Sequence, residues 1–521
     1  MRLAAIDVGS NSVHMVIAEV RPEGHVRVVE RVKEMVRLGR RAFTTGRLSA
    51  EAMDLAVRAV QDFGRLARAR RVDRLRAVAT SAVREARNGP ALVRRLRRET
   101  GIAVRVISGL EEARLIFRAA RHALGLEGGP HLLVDVGGGS VELVLVHDGR
   151  PLWLRSLPLG VARLTERFLL HDPPTAREVR RLERHLEEVL GALLDRVRHA
   201  AVLRAVGTSG TVNTLVAMAR AARGEDLGRL HGASASAREF RRLRRRILAA
   251  DAAKRSGLAG IDTKRVDLMP AAAVLLDFIL ARAGAPTLVA CTWALREGLL
   301  LDLARLRSEN AGGAPARRRR SVEALAARFA GPNPHGRHVA RLALSLFDTV
   351  APALALPPPA RELLEYAALL HDIGHAIDRD RHHRHSCYLI QNAELLGLER
   401  IEVETIAQVA RGHRKQAPKP SDLGALPPRL RQVVRGLAAL LRVADALDRT
   451  HSAAVRAVSA RFTGRRLVIE AEPRGDDAEL ELWAAARRTD LLARLLERPA
   501  ILRQRASAEP AAVGLPASGA P

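Results

Sequence analysis

One pattern, written twice, most narrows what this chain can fold into: IDVGSNS at 6–12 and VDVGGGS at 134–140. Each time an apolar strand delivers an aspartate to a glycine-containing turn, a serine follows, and a second apolar strand leaves (VHMVIAEV, 13–20; VELVLVH, 141–147). Glycines let the backbone of such a turn approach a ligand closely, and its successive N–H groups form a nest for phosphate oxygens. Asp7 and Asp135, at the strand ends, are placed to hold a divalent cation, directly or through water. A third glycine turn, GTSGT at 207–211, opens a helix. Recurrence of one design implies two facing lobes that grip a phosphorylated ligand between them.

The surrounding pattern agrees. Residues 3–8 and 13–20 read as strands and 49–70 as an amphipathic helix, with Met53, Val57, Val60 and Phe63 on one face. Strands RLRAVAT and VRVIS follow, then a helix from about Glu111, and a long Arg/Glu/Leu helix over 175–198. This alternation predicts an α/β architecture. Residues 308–320 (SENAGGAPARRRR) have the composition of a linker, and 321–452 are almost wholly helical in pattern. A hairpin candidate turns at Thr463-Gly464, and 506–521 form an Ala/Pro/Gly/Ser tail expected to be disordered. The 521 residues suffice for about three domains.

Composition removes several function classes. Two cysteines, Cys291 and Cys387, cannot build a disulfide framework. Asp277 interrupts the most apolar stretch, AAAVLLDFILA, so no membrane span is expected, and Asp7 comes too early for a secretory signal. These features suggest a soluble cytoplasmic protein. The 86 Lys+Arg against 57 Asp+Glu give a net charge of +29. Aromatics at 3% offer little for base stacking, so a small or polymeric polyanion is a better expectation than specific nucleic-acid readout.

The turns at 7–12, 135–140 and 207–211 resemble the two phosphate motifs and the adenosine motif of the actin/hexokinase superfamily. Within it, DVGSNSVHMVIAEV (7–20), ATSAVREARNG (79–89), ISGLEEARLIF (107–117), DVGGGSVEL (135–143) and LREGLLLDL (295–303) resemble the Ppx/GppA family of exopolyphosphatases and guanosine pentaphosphate phosphohydrolases. The resemblance implies an actin-like, two-lobed fold with ribonuclease H-like lobes at 1–125 and 126–307. It implies phosphate binding by Gly9, Ser10, Asn11, Ser12, Gly137, Gly138, Gly139, Ser140, Gly207, Thr208, Ser209, Gly210 and Arg84. Ser108-x-x-Glu111 has capping-box spacing, which would turn Glu111 back onto its helix and leave Glu112 free. Glu112 also matches the family's catalytic glutamate, and Glu142 matches a second acid that helps place water or Mg²⁺. The implied substrates are inorganic polyphosphate and guanosine pentaphosphate (pppGpp), and the implied assembly is a homodimer.

The helical half carries His338, the doublet His371-Asp372, His385, His413 and Asp445. Imidazole and carboxylate together suit a transition-metal centre, with helices presenting ligands inward. His371 and His375 at i, i+4 are expected on one helix face. The set resembles the HD metal-dependent phosphohydrolases, which implies an all-α HD-like domain over 321–505 with a short C-terminal hairpin. In that reading His338, His371, Asp372 and Asp445 are core ligands for Mn²⁺, Fe²⁺ or a similar ion, and His385 and His413 complete a two-metal version. His382 and His383 receive no role. A rival reading makes this half the hydrolase and the first half a nucleotide sensor.

Overall fold

The computed structural model describes residues 1–20, 26–225, 229–304, 313–414, 418, 423–424, 426–474 and 478–505. They form two compact units, 1–320 with 396–400, and 321–395 with 401–521.

The first unit is built on two sheets of one plan. The first contains β1 (Arg2–Val8), β2 (Ser12–Val20), β3 (Val26–Met35), β4 (Arg74–Ala79) and β5 (Val104–Val106), in the order β3-β2-β1-β4-β5. The second contains β6 (Pro130–Val136), β7 (Val141–His147), β8 (Arg150–Leu157), β9 (Arg204–Thr208), β10 (Ser234–Ser236) and β11 (Thr287–Ala290), in the order β10-β11-β9-β6-β7-β8. In each, a central strand pairs antiparallel with the next and parallel with the first strand after a helix. Register is equivalent too: Asp7 stands opposite His14, and Asp135 opposite Glu142.

Both central strands are buried almost without alternation, because helices cover both faces of each sheet. The long helices begin where local chemistry starts them. Ser49 accepts from the Ala52 N–H at 3.2 Å ahead of Ala50–Ala69, and Thr175 forms a full capping box with Glu178 ahead of Ala176–His199. Two other helices, Gly109–Leu124 and Leu295–Leu303, pack on each other within one apolar core. That core also takes Ala5 and Val16 from the first sheet and Leu133 and Val144 from the second. Gly298 permits the contact, since a Cβ there would lie 2.1 Å from the Leu115 carbonyl oxygen. Asp277 sits in the buried helix Met269–Ala283, paired with Arg244 at 2.9 Å. Among the described residues no helix is long and apolar enough to cross a membrane.

The second unit is helical through Pro334–Val350, Ala360–Leu370, His382–Gln391, Arg400–Arg411 and Pro428–Ala446. It ends differently from the expected lone hairpin. β12 (Val455–Thr463) and β13 (Arg466–Pro473) are joined by β14 (Ala500–Gln504), parallel to β13, after two short helices, Glu479–Ala486 and Asp490–Leu496. Edge pairing that hides β13's open N–H and C=O groups accounts for the extra strand. The expected linker is also corrected: 313–330 form a helix, because Ala and Arg are strong helix formers and Pro315 falls in the first turn. Residues 305–312 and the expected tail at 506–521 lie outside the described residues.

The glycine contact gives a direct test. Gly298→Ala should destabilise the first unit by about 1–3 kcal/mol through overpacking, read as a lower denaturation midpoint.

Candidate functional site

The two glycine turns are superimposable in their bonding. Gly9 N–H donates to the Ser12 carbonyl at 3.1 Å, and Gly137 N–H to the Ser140 carbonyl at 3.0 Å. They meet face to face: a Cβ on Gly139 would lie 2.8 Å from Ser10 Oγ and 2.4 Å from Ser81 Oγ. One on Gly138 would lie 3.3 Å from Ser10 Cβ. Gly160 backs the second turn so closely that its Cβ would strike the Gly138 and Gly139 backbone at 2.3 Å. Between the turns lies a cavity of about 120 Å³. Its lining includes Gly9–Ser12, Gly137–Ser140, Asp7, Asp135, Glu112, Ser209 and Gly210.

Half-buried Asp7 and buried Glu112 and Asp135 line this space, and Glu142 is buried opposite Asp135. Burial and the neighbouring Glu142 and Asp7 push the Glu112 carboxyl well up, against the pull of Arg84. Burial and Asp135 push Glu142 up to about 8. Burial pushes Asp7 up to about 6, with Arg296 pulling down and Asp135 and Glu297 adding to the rise. Asp135 is likewise raised by burial, while the Thr208 hydroxyl, which donates to its Oδ2, opposes the rise. Arg84 Nη1 donates to Glu112 Oε2 at 3.1 Å and to the Ile107 carbonyl at 2.9 Å, and Ser156 Oγ donates to Glu142 Oε1 at 2.7 Å. Among the described residues, Asp7 Oδ1 and Glu142 Oε2 are buried with no hydrogen-bond partner. Hard carboxylate oxygens, clustered and partly unpaired, fit a divalent cation such as Mg²⁺.

Several sequence readings change in detail. Ser108 caps Glu111 N–H at 3.1 Å as expected, but the Glu111 carboxylate pairs with Arg105 instead of returning to the cap. Gly207 faces Val212 and Leu288 inside the sheet, away from the cavity, because it is still in β9. Thr208, fully buried, serves Asp135. Arg84 reaches Glu112 from outside the lining of the cavity between the turns.

His14 and Arg296 escaped notice as site residues. Arg296 Nη1 lies 2.5 Å from His14 Nδ1, and His14 Nε2 lies 2.6 Å from Ser12 Oγ. Burial and Arg296 hold His14 well below the usual imidazole range, so it is neutral and ties Arg296 to the first turn. Its position opposite Asp7, matching Glu142 opposite Asp135, was a readable signal.

The second unit gathers a separate cluster. Three overlapping sets, His335/His371/Asp372, His371/His413/Asp445 and Asp372/His382/His413, each bring their ligand atoms within 4.8 Å of one another. His335, His371 and His413 each donate through Nδ1, to Asp448 at 2.8 Å, the Ala368 carbonyl at 2.7 Å and the Ala410 carbonyl at 2.6 Å. That fixes the tautomer and turns Nε2 inward, as metal-ligating histidines require. Asp372 faces both ways: Oδ2 lies 3.6 Å from His371 Nε2, while Oδ1 lies 3.2 Å from His382 Nε2 and 3.6 Å from His413 Nε2. Burial opposes charge on His371, but Asp372 and Asp445 outweigh it and raise it to about 9.

Two expected ligands are replaced. His338 is pinned outward, its Nε2 on the Val455 carbonyl of β12 at 2.8 Å, so His335 one turn earlier enters. Asn333 sets that register by capping Gly336 N–H and holding the Leu369 carbonyl. His382 enters in place of His385, because Ser386 is committed to the His371 carbonyl at 2.6 Å and Gly374 packs against the His382 backbone. His371 and His375 do not share a helix, which ends at Leu370 before a 3₁₀ turn, Ile373–Ala376.

Residues 16–306 match the Ppx/GppA phosphatase family model, and 317–481 match the model for Ppx/GppA phosphatase domain III. Exopolyphosphatase 1 of Mycobacterium leprae is 35% identical over 302 residues, covering 58% of this chain and 89% of its own. A guanosine-5'-triphosphate,3'-diphosphate pyrophosphatase of Vibrio vulnificus is 29% identical over 414 residues, 79% of this chain and 80% of that one. Among solved structures, an exopolyphosphatase from Cytophaga hutchinsonii aligns with a TM-score of 0.55 and 31% identity, covering 59% of this chain and 99% of that one. The Aquifex aeolicus family member aligns at 0.52 and 30%, covering 60% and 99%.

The two ligand replacements are checked by elemental analysis of the full-length protein. His335→Ala and His382→Ala should each lower divalent-metal affinity at least about tenfold, whereas His338→Ala and His385→Ala should leave metal content unchanged.

Proposed function

The chain belongs to the Ppx/GppA phosphatase family, and on that footing we propose that it is an exopolyphosphatase that removes terminal orthophosphate from inorganic polyphosphate. It is a phosphoanhydride hydrolase, like the relatives it matches. What carries the reading is one cavity with paired glycine turns on one side and a buried, raised glutamate on the other.

The terminal phosphoryl group is held by the N–H groups of the two turns, with Ser10, Ser140 and Ser209 lining its seat. Glu112 is the general base: its carboxylate takes a proton as water oxygen bonds to the terminal phosphorus. The bridging P–O bond breaks, and the leaving chain keeps that electron pair and is protonated by solvent. A raised carboxyl suits the role, because a base works best with its pKa near the operating pH. Arg84 balances charge at Glu112 from outside that cavity's lining. Asp7 and Asp135, with Glu142 behind them, would hold Mg²⁺, which supplies charge neutralisation at the phosphoryl oxygens when bound.

pppGpp is the alternative substrate. It offers the same terminal phosphoanhydride, and the match to the Vibrio vulnificus relative, at 414 residues, is long enough to reach into the second unit. We assign that unit an HD-type divalent transition-metal centre, Mn²⁺ or Fe²⁺, on His335, His371, Asp372, His382, His413 and Asp445. A homodimer and a cytoplasmic location accompany this reading.

Glu112→Gln should lower kcat on long-chain polyphosphate at least about 100-fold, with Mg²⁺ present and pppGpp assayed alongside. If His371→Ala abolishes hydrolysis and Glu112→Gln does not, the second unit is the catalyst.

A further inference from the structure

A second cavity, of about 390 Å³, adjoins the catalytic one at Ser140. Its wall includes Arg84, Ser108, Ser140, Arg155, Ser156 and Glu85. The two cavities share Ser140, and the partition between them carries the candidate acids. Glu112 lines the first cavity and is held by Arg84, which lines the second. Glu142 is held by Ser156, also on the second cavity's wall. The approach is tight: a Cβ on Gly109 would lie 2.4 Å from Ser156 Oγ.

We infer that this second cavity is an orthophosphate site, the way out for the product. The inference rests on the reading that Glu112 is the base. In-line displacement puts attacking and leaving oxygens on opposite sides of the phosphorus. The base marks the attacking side, so the remaining polyphosphate chain departs away from Glu112. Bond formation inverts the phosphoryl group toward the nucleophile, which is toward the partition and the second cavity. The product therefore has its own exit, while the shortened chain keeps its hold on the other side.

The lining suits a small oxyanion. Arg155 is exposed, donates to the Leu154 carbonyl at 2.9 Å, and has no ion pair with an acid among the described residues. The one acid on the wall, Glu85, is already engaged by Arg163 at 2.6 Å and by Ser81 Oγ at 2.8 Å. Arg155 and Arg84 thus face the cavity as its cations, and Ser108 and Ser156 add hydroxyls. Leu110, Leu157 and Pro158 complete the wall beside these polar groups.

The test is product inhibition of the full-length enzyme by added inorganic phosphate at varied polyphosphate. In the wild type, orthophosphate should lower kcat without raising KM. Arg155→Ala should weaken that inhibition about tenfold, by loss of a charge-assisted contact, and Arg155→Lys should restore part of it. KM for long-chain polyphosphate should stay within twofold in both variants. The inference is overturned if orthophosphate competes with polyphosphate. It is equally overturned if Arg155→Ala raises KM in step with chain length, which would make the cavity a chain subsite, or leaves inhibition unchanged. Because Arg155 lies outside the catalytic cavity, any of these results stands apart from the Glu112→Gln test, whose failure would remove the base itself.

Discussion

Four carboxylates gathered at one cavity, three on its lining and Glu142 buried opposite Asp135, are the constraint on which the first unit depends. Such a group is unstable as four anions, since burial and mutual repulsion both favour the neutral forms. The fold answers with Arg84 on Glu112, Arg296 near Asp7 and hydroxyls on Glu142 and Asp135. Two oxygens are nevertheless left without partners. That incomplete compensation is the chemistry on which the proposed cation site rests.

The helices that bear Glu112 and Arg296 are also those that tie the sheets together. Glu112 is on Gly109–Leu124 and Arg296 is on Leu295–Leu303, and both helices share one core with strands of both sheets. Glu112 and the guanidinium beside His14 are therefore fixed to rigid elements, with Gly298 allowing the helices to touch. Positioning of this kind, more than any single strong contact, is what phosphoryl transfer asks of a protein.

The second unit gathers a different set of titratable side chains. Softer imidazoles replace part of the carboxylate set, and each of His335, His371 and His413 is oriented by a partner on Nδ1. Asp372, between two groups of histidines, is the element that joins them. The excess of positive charge on the chain fits both units, since it draws anionic substrates toward the surface.

The sequence by itself determined the duplicated hairpins, the aspartates at their turns, the capped helices at 50–69 and 176–199, and the His-Asp doublet at 371–372. All are local: strand alternation, glycine placement and capping spacing are written within a few neighbouring residues. Only the tertiary structure decided which histidines turn inward. His335 and His338 are equally plausible in sequence, but β12 claims His338 and Asn333 fixes the start of the helix. His382 rather than His385 follows from how Ser386 and Gly374 lock the preceding turn. The pairing of His14 with Arg296, and the third strand at Ala500–Gln504, likewise join residues far apart in the chain. Such choices rest on packing between distant segments, where no short-range pattern records the outcome.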